Sequence, residues 1–196
     1  SATPPTRRRP APRLDTAGKT VPQWDERHGD PLGVPVGNES TDTLPLKGLR
    51  VLDLGTFWAA PYAAMYLASL GAEVTKIEAP MRPDAFRFVA TSLEMGERWY
   101  ECGPLYQATN LGKQGITLDL SSPEGQGIFR TLVEQSDVVI ENFTPRVMEK
   151  WGFDDAGLRA IRPDLIYIRT PGFGLTGPWR DAVGWALVIE QAAGMS

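Results

Sequence analysis

The 196-residue sequence has little of the chemistry on which many protein classes depend. Its one cysteine, Cys102, excludes an internal disulfide and suits a reducing compartment, so we expect a cytoplasmic protein. Its one histidine, His28, excludes a metal site built from several histidines, and no metal is expected. No apolar run approaches the ~20 residues that a membrane-spanning helix needs. A net charge of -4 argues against a nucleic-acid partner.

What the sequence does contain is enough apolar residues, 42%, to form a folded core. Residues 1–46 differ from the rest, because they hold eight of the 17 prolines and a basic stretch at residues 7–9. They show neither a helical nor a strand periodicity. This composition predicts an irregular, Pro-rich linker ahead of a folded domain.

From residue 48 onward, short runs typical of strands alternate with helical patterns. The runs typical of strands are 49–54, 73–78, 115–120, 137–143 and 165–169. The helical patterns lie after Pro61, after Ser122, at 145–151, at 155–161 and at 185–193. This alternation predicts an open, doubly wound α/β domain, with a Rossmann-like parallel sheet and helices on both faces.

Two of the helices carry more detailed signals. After Pro61, an apolar set falls on one helix face and Gly71 ends the helix; the set is Tyr62, Met65, Tyr66 and Leu70. Ser122 followed by Pro123 is typical of a helix start, with the serine as N-cap. The buried stripe expected on that second helix is Ile128, Phe129, Leu132 and Val133.

In sheets of this kind, ligands bind beyond the carboxyl ends of the strands. The candidate ligand segments are therefore 55–60, 79–82, 142–144 and 170–174. The first of them is not a dinucleotide fingerprint, because Phe57 and Trp58 are bulky where a pyrophosphate needs bare backbone. An NAD site is not expected, and tight packing of helix on sheet remains open for this segment.

The other possible signals for catalysis are weak. Gly172, Gly174 and Gly177 match the spacing of a nucleotide loop, but Pro178 follows, so the segment is interpreted as a strand-to-helix loop. Asp53 lies inside an apolar run, which favours a hydrogen-bonded structural carboxylate over a catalytic one. Cys102 has no basic neighbour in sequence that would activate its thiol.

A series of short stretches carries a stronger pattern when the stretches are taken together in order. They are LKGLRVLDL (46–54), AAP (59–61), LGAEVTKIE (70–78), LDL and SPEG (118–125), DVVIENF (137–143), PxLIY (163–167) and GFGxTGP (172–178). Over residues 45–195 this pattern resembles the amino-terminal half of the family III CoA-transferases, the CaiB–BaiF family.

That resemblance implies a Rossmann-like large domain that binds CoA at its strand ends. The residues that fall at CoA-contacting positions of the family are Phe57, Trp58, Ala79, Lys113, Leu118, Asn142, Phe143, Val147 and Lys150. Lys113 and Lys150 are suited to offset phosphate charge, and Asn142 to donate through its amide. The alternative for each lysine is an ordinary solvated surface charge.

The resemblance also implies a reaction, in which CoA moves between carboxylic acids through an aspartyl mixed anhydride and an enzyme–CoA thioester. The aspartate concerned is expected beyond Ser196, so no catalytic residue is assigned within the chain. A CoA-thioester racemase or isomerase is an alternative, although the family's racemases place a histidine where this chain has Trp185. A non-catalytic CoA-binding repeat is another alternative.

A further resemblance concerns the amino-terminal segment. Residues 1–20 resemble the carboxyl-terminal end of a family member, which runs through a basic residue and Pro-Ala-Pro. The resulting division is a tail of a preceding repeat (1–20), a linker (21–46) and the amino-terminal part of a large domain (47–196). The family's members form interlocked dimers, so the expected assembly is an interlocked homodimer or a fused pseudo-dimer.

Overall fold

The computed structural model describes residues 44–92, 94 and 96–195. The predicted tail (1–20) and nearly all of the predicted linker (21–46) lie outside the described residues. Within that described part, five strands form one parallel sheet in the order β3-β2-β1-β4-β5. Their bounds are β1 Arg50–Asp53, β2 Glu73–Glu78, β3 Gln114–Thr117, β4 Val138–Glu141 and β5 Ile166–Arg169.

The helices follow the strands much as the periodicity predicts. Their bounds are α1 Ala59–Ser69, α2 Pro104–Asn110, α3 Pro123–Glu134, α4 Pro145–Trp151, α5 Asp155–Ile161 and α6 Ala186–Ala192. Strand β2 and helices α4 and α5 occupy the predicted residues. Strand β3 ends at Thr117, three residues before the predicted end, because the chain turns from there toward the cap of α3.

Alternation along the strands creates a core on each face of the sheet. On one face Leu52 and Val139 pack with Phe129, Met148 and Leu158, which belong to α3, α4 and α5. On the other face α1 packs against strand residues that include Val51, Val74 and Ile140. Helices therefore cover both faces, which confirms the open α/β prediction.

Helix α1 packs on the sheet through its small residues, not through its aromatic ones. Ala60 and Ala64 are fully buried, whereas Tyr62 and Tyr66 are 44% and 49% exposed. The apolar face seen in the sequence is thus the outer face of α1, and the small residues of the opposite face pack on the sheet. Alanines let the helix backbone approach the strands closely, and tyrosines there would hold it away.

Helix α3 begins as its sequence predicts. The Gly125 N–H donates to Ser122 Oγ at 3.0 Å, and Pro123 occupies the first turn. Phe129 and Val133 are fully buried, but Ile128 is 36% exposed, so the stripe is narrower than expected. Among the helices that the structure describes, none is both long and apolar enough to cross a membrane.

Candidate functional site

The order in which the strands are added to the sheet reverses between β1 and β4. Strand β1 pairs with β2 on one side and with β4 on the other, so the connections that leave β1 and β4 run to opposite faces. This arrangement opens a crevice beyond the carboxyl ends of the two strands. Residues 54–58, which join β1 to α1, lie there and are called the β1 loop below.

Asn142, directly after β4, holds the β1 loop from one side. The Thr56 N–H donates to Asn142 Oδ1 at 2.9 Å, and Asn142 Nδ2 donates to the Thr56 carbonyl oxygen at 2.7 Å. These reciprocal bonds join residues that are 86 positions apart. The amide group, expected to face a ligand, is therefore directed at the backbone of the β1 loop.

Asp84 holds the β1 loop from the other side. The Phe57 N–H donates to both oxygens of the Asp84 carboxylate, at 3.1 and 3.2 Å. Lys76 Nζ donates to the Gly55 carbonyl oxygen and lies 3.4 Å from Asp84 Oδ2. Asp84 is 1% exposed and Lys76 is fully buried, so this ion pair is shielded from solvent. The loop backbone is consequently fixed at Gly55, Thr56 and Phe57.

Phe57 adopts a left-handed backbone conformation with φ of +61°. A non-glycine residue pays ~1–2 kcal/mol for that conformation, so the surrounding contacts must hold it there. The conformation places the Phe57 ring 5.4 Å from the Phe86 ring and 4.6 Å from the Trp185 ring, centroid to centroid. Trp58, 52% exposed, meets Phe86 edge-on at 5.2 Å. We call these four residues the aromatic cluster.

Beneath the loop lies a buried ion pair between Asp53 and Lys113. Lys113 Nζ donates to Asp53 Oδ2 at 2.6 Å, to the Pro61 carbonyl oxygen at 2.8 Å and to Asn110 Oδ1 at 2.8 Å. Burial lowers the pKa of Lys113 to about 8, although the negative charge of Asp53 acts to raise it. The other Asp53 oxygen accepts the Gly55 N–H at 2.8 Å. Asp53 is thus the structural carboxylate that the sequence predicts.

The expected phosphate contact of Lys113 does not fit this geometry. The residue is 1% exposed, and protein oxygens accept from its three N–H donors. The family resemblance implied the phosphate contact of Lys113, and the alternative was an ordinary solvated surface charge. In the structure Lys113 supports the base of the β1 loop instead of facing solvent.

Glu78 anchors the segment that carries Asp84. Its carboxylate accepts from Arg87 at 2.6 and 3.0 Å, from the Tyr106 hydroxyl at 2.8 Å and from the Asp84 N–H at 2.9 Å. Burial alone would raise the pKa of Glu78, but the Arg87 hydrogen bonds and the nearby Lys76 charge outweigh it and lower that pKa. Asp84 therefore rests on a rigid, charged support.

A second buried carboxylate, Glu141, ends β4. It accepts the Phe143 N–H at 2.6 Å, the Tyr167 hydroxyl at 3.2 Å and Arg169 Nε at 3.0 Å. Burial raises its pKa even though these donors oppose that change. The contacts fix the turn in which Asn142 lies.

The remaining predicted site residues lie in three places. Ala79 is half-buried and begins the connection from β2 to Asp84. Leu118 is 7% exposed and belongs to the core on the α3 face. Phe143 packs edge-on against Trp151, while half-buried Val147 and exposed Lys150 lie on α4.

Sequence reasoning missed Asp84 and Lys76, although one signal was available. Strand β2 lies between β3 and β1, and buried parallel strands are usually continuous apolar runs, whereas β2 carries both Lys76 and Glu78. Charges at such positions require buried partners. The sequence does not say which residues those partners are.

An apolar groove lies beside the aromatic cluster, between α1 and α2. Its volume is about 870 Å³, and Trp58 is shared between the groove and the β1 loop. The outer face of α1 supplies one wall and α2 with the following turn supplies the other. The lining residues include Trp58, Tyr62, Met65, Tyr66, Gln107 and Leu111.

A parallel sheet in this strand order, with loops gathered where the order reverses between β1 and β4, defines an open α/β protein of Rossmann-like topology. The family model for CoA-transferase family III matches residues 46–196, and the chain belongs to that family. The family resemblance seen in the sequence is thereby confirmed.

Several relatives have assigned activities. The chain is 40% identical over 167 residues to the alpha subunit of succinyl-CoA–L-malate CoA-transferase from Chloroflexus aurantiacus, with 85% of this chain and 38% of that protein covered. It is 40% identical over 151 residues to succinate–glutarate CoA-transferase from Agrobacterium fabrum, with 76% and 38% covered. The chain thus spans about two fifths of the length of these relatives.

The fold is also that of a solved family member. A CaiB/BaiF family protein from Brucella suis superimposes with a TM-score of 0.70 at 38% identity, covering 78% of this chain and 40% of that chain.

Proposed function

We propose that the protein to which this chain belongs transfers CoA between carboxylic acids, and that this chain supplies much of the CoA-binding half. The observation that carries the proposal is family membership across residues 46–196, with relatives at 40% identity named as CoA-transferases. Those names concern succinyl-CoA, malate, succinate and glutarate, which are small carboxylic acids or their thioesters. Acyl-CoA and a free carboxylate are therefore the proposed substrates.

The proposed CoA site extends from the β1 loop to helix α4. Phe57 and Trp58 offer ring surfaces to the apolar parts of CoA, because both project from a loop whose backbone is fixed. Lys150, exposed in the last turn of α4, offers an ammonium group to a phosphate. Asn142 and Lys113 contribute by holding the β1 loop. The remaining proposed site residues are Ala79, Leu118, Phe143 and Val147.

The proposed chemistry uses an aspartate that the family places beyond residue 196. Its carboxylate oxygen attacks the thioester carbonyl, the C–S bond breaks, and CoA leaves as a thiolate with a mixed anhydride formed. The thiolate attacks the aspartyl carbonyl and releases the first carboxylic acid. The acceptor carboxylate then attacks the aspartyl carbonyl of the enzyme thioester, the C–S bond breaks, and a second mixed anhydride forms. The returning thiolate attacks the acceptor's carbonyl in that anhydride, which forms the new acyl-CoA and releases the aspartate carboxylate. Neither a metal nor NAD enters this scheme.

A racemase is the less favoured proposal because of position 185. The family's racemases place a histidine there, and this chain has Trp185, whose ring packs on Phe57 at 4.6 Å. An indole offers no base at neutral pH for proton abstraction. A non-catalytic CoA-binding repeat is a further alternative, and it would bind CoA without exchange.

The proposal includes a wider arrangement of the protein. Residues 1–20 are proposed as the end of a preceding repeat and 21–46 as its linker to the domain that begins at residue 47. The assembly proposed is an interlocked dimer or a fused pseudo-dimer, working in the cytoplasm. The subunit names of the Chloroflexus relatives, alpha and beta, concern multi-chain enzymes of the same family.

The test is an exchange assay on the intact protein. Succinyl-CoA and other acyl-CoA donors are mixed with carboxylate acceptors, and new acyl-CoA is measured by chromatography. Exchange is expected, and Lys150→Ala should raise KM for the donor about threefold, since an exposed ion pair contributes little. The matched control is Lys47→Ala, at an exposed lysine ahead of the amino end of β1, and it should leave the KM for the donor unchanged. CoA binding without exchange across the panel would overturn the proposal.

A further inference from the structure

We infer that Asp84 is a positioning residue for CoA binding, acting by holding the left-handed conformation of Phe57 in the β1 loop. The inference rests on the proposed function, since it takes the β1 loop to be part of the CoA site. It assigns a role to a residue that the sequence left without one. Asp84 acts through Phe57 and is not proposed to touch CoA itself.

The first step of the argument is the hydrogen-bond geometry. Both Asp84 oxygens accept the Phe57 N–H, at 3.1 and 3.2 Å, in a site from which solvent is nearly excluded. Hydrogen bonds to a charged acceptor are stronger than neutral ones, and more so at low local dielectric. These hydrogen bonds are therefore made by Phe57, the residue whose φ of +61° must be held by surrounding contacts.

The second step is that Asp84 is itself rigid. Its Oδ1 accepts the Phe86 N–H at 3.0 Å, which caps the short 3₁₀ turn Ala85–Arg87. Its own N–H donates to Glu78 at 2.9 Å, and Lys76 lies 3.4 Å from its Oδ2. A residue fixed through both its backbone and its carboxylate can impose a conformation on a neighbouring backbone.

The third step connects this restraint to the ligand surface. Asp84 holds the Phe57 backbone and, through the 3₁₀ turn, the Phe86 ring that packs on both Phe57 and Trp58. One carboxylate thus orders three of the four rings in the aromatic cluster. Loss of Asp84 releases the loop at Phe57, while Asn142 still holds Thr56, and CoA must then restore the order of Phe57 at a cost in affinity.

The experiment is a double-mutant cycle in the intact protein, with CoA titrated by calorimetry. In the Phe57 background, Asp84→Ala should raise the Kd for CoA about tenfold, which corresponds to ~1.4 kcal/mol. In a Phe57→Asn background the same change should raise the Kd only about twofold, because asparagine tolerates left-handed backbone without an imposed restraint. An equal increase in both backgrounds would overturn the inference.

Controls separate positioning from general loss of structure. Asp137 is a buried carboxylate at the amino end of β4, where it accepts the Arg50 N–H at 2.8 Å far from the β1 loop. Asp137→Ala should lower the unfolding midpoint and leave the Kd unchanged. In the exchange assay, Asp84→Ala should raise KM with kcat nearly constant, whereas a merely structural defect lowers kcat through the amount of active protein. Asp84→Asn replaces Asp84→Ala in the cycle if the alanine variant does not fold.

A further arm requires no ligand. The same four variants are unfolded with urea, and Asp84→Ala should lower the midpoint more in the Phe57 background than in the Phe57→Asn background. If the wild-type protein binds no CoA, the proposed function fails, and this arm still decides whether Asp84 restrains Phe57. If CoA binds and the two backgrounds respond alike in both arms, the positioning role is wrong.

Discussion

Asp53 and Lys113, 60 positions apart in sequence, place their charged atoms 2.6 Å from each other with both side chains fully buried. Asp53 ends β1, and Lys113 directly precedes β3, yet these strands are not neighbours because β2 lies between them. The pair therefore spans the sheet across one strand. It also ties both strands to α1 through the Pro61 carbonyl oxygen.

Removing the charge of Lys113 should be strongly destabilising. Lys113→Met removes the cation that lies 2.6 Å from Asp53 and leaves only Lys76 Nζ at 4.0 Å, so it should lower the free energy of unfolding by ~3–5 kcal/mol in urea denaturation. Adding Asp53→Asn should recover part of that loss, so the double variant should be more stable than additivity allows. Arg159→Ala, which breaks the exposed pair with Asp155, is the control and should cost under ~1 kcal/mol. Strict additivity of the buried pair would contradict the prediction.

Glu78 should make the protein sensitive to acid. The pKa of Glu78 is lowered in the folded state, so its contribution to stability is present above the ordinary value of 4.5 and is lost as pH falls through the lowered value. The stability difference between the wild type and Glu78→Gln should thus be largest near neutral pH and shrink below pH 4.5. Urea denaturation across pH measures it, with exposed Glu134→Gln as the control. A constant difference would be inconsistent with this role.

Two glycines of helix α3 should respond in opposite directions to the same substitution. A Cβ at Gly125 would lie 1.9 Å from the Asp119 carbonyl oxygen, so Gly125→Ala should destabilise by ~1–3 kcal/mol. A Cβ at Gly127 meets nothing within 4 Å, so Gly127→Ala should stabilise by ~0.5–1 kcal/mol through helix propensity. Thermal or urea unfolding of both variants is the measurement. Equal effects would show that the helix start is packed differently.

The N-cap of α3 offers a second matched pair. Ser122→Ala removes the oxygen that accepts the Gly125 N–H and should cost ~1 kcal/mol of stability. Ser121 is exposed and bonds to the side chain of Asp119, so Ser121→Ala should change stability by less than ~0.5 kcal/mol. Urea unfolding compares the two. A larger loss of stability for Ser121→Ala than for Ser122→Ala would contradict the assignment of Ser122 as the N-cap.

The sequence was sufficient for the fold where one physical signal dominated. The β-branched residues between Gly71 and Pro80 located β2, and the prolines and end residues of α4 and α5 fixed both helices to the residue. The face of α1 could not be read in this way, because alanines are neither strongly apolar nor bulky and the tyrosines beside them dominate the pattern. Close packing of helix on sheet selected the alanines.

The candidate site was predictable only in part, for a related reason. Asn142 and the β1 loop follow strands, so topology alone places them at the crevice. Asp84 lies beyond β2 in an irregular connection, 27 positions from Phe57, and only the folded chain brings the two residues together. Lys113 has the sequence context of a solvated lysine, and its burial depends on Asp53, which lies on a different strand.

The position of β1 in the middle of the sheet has a kinetic consequence. Val51 pairs with Val74 through a short βαβ connection, whereas its pairing with Val138 closes a loop several times longer. Because closing a short loop costs less entropy, the shorter pairing should form first. Strands β1 to β3 should therefore organise as one half, and strands β4 and β5 as the other. The reciprocal hydrogen bonds between Thr56 and Asn142 join these two halves. A nascent chain is therefore expected to form the crevice beyond β1 and β4 only in the final stage of folding, when both halves meet.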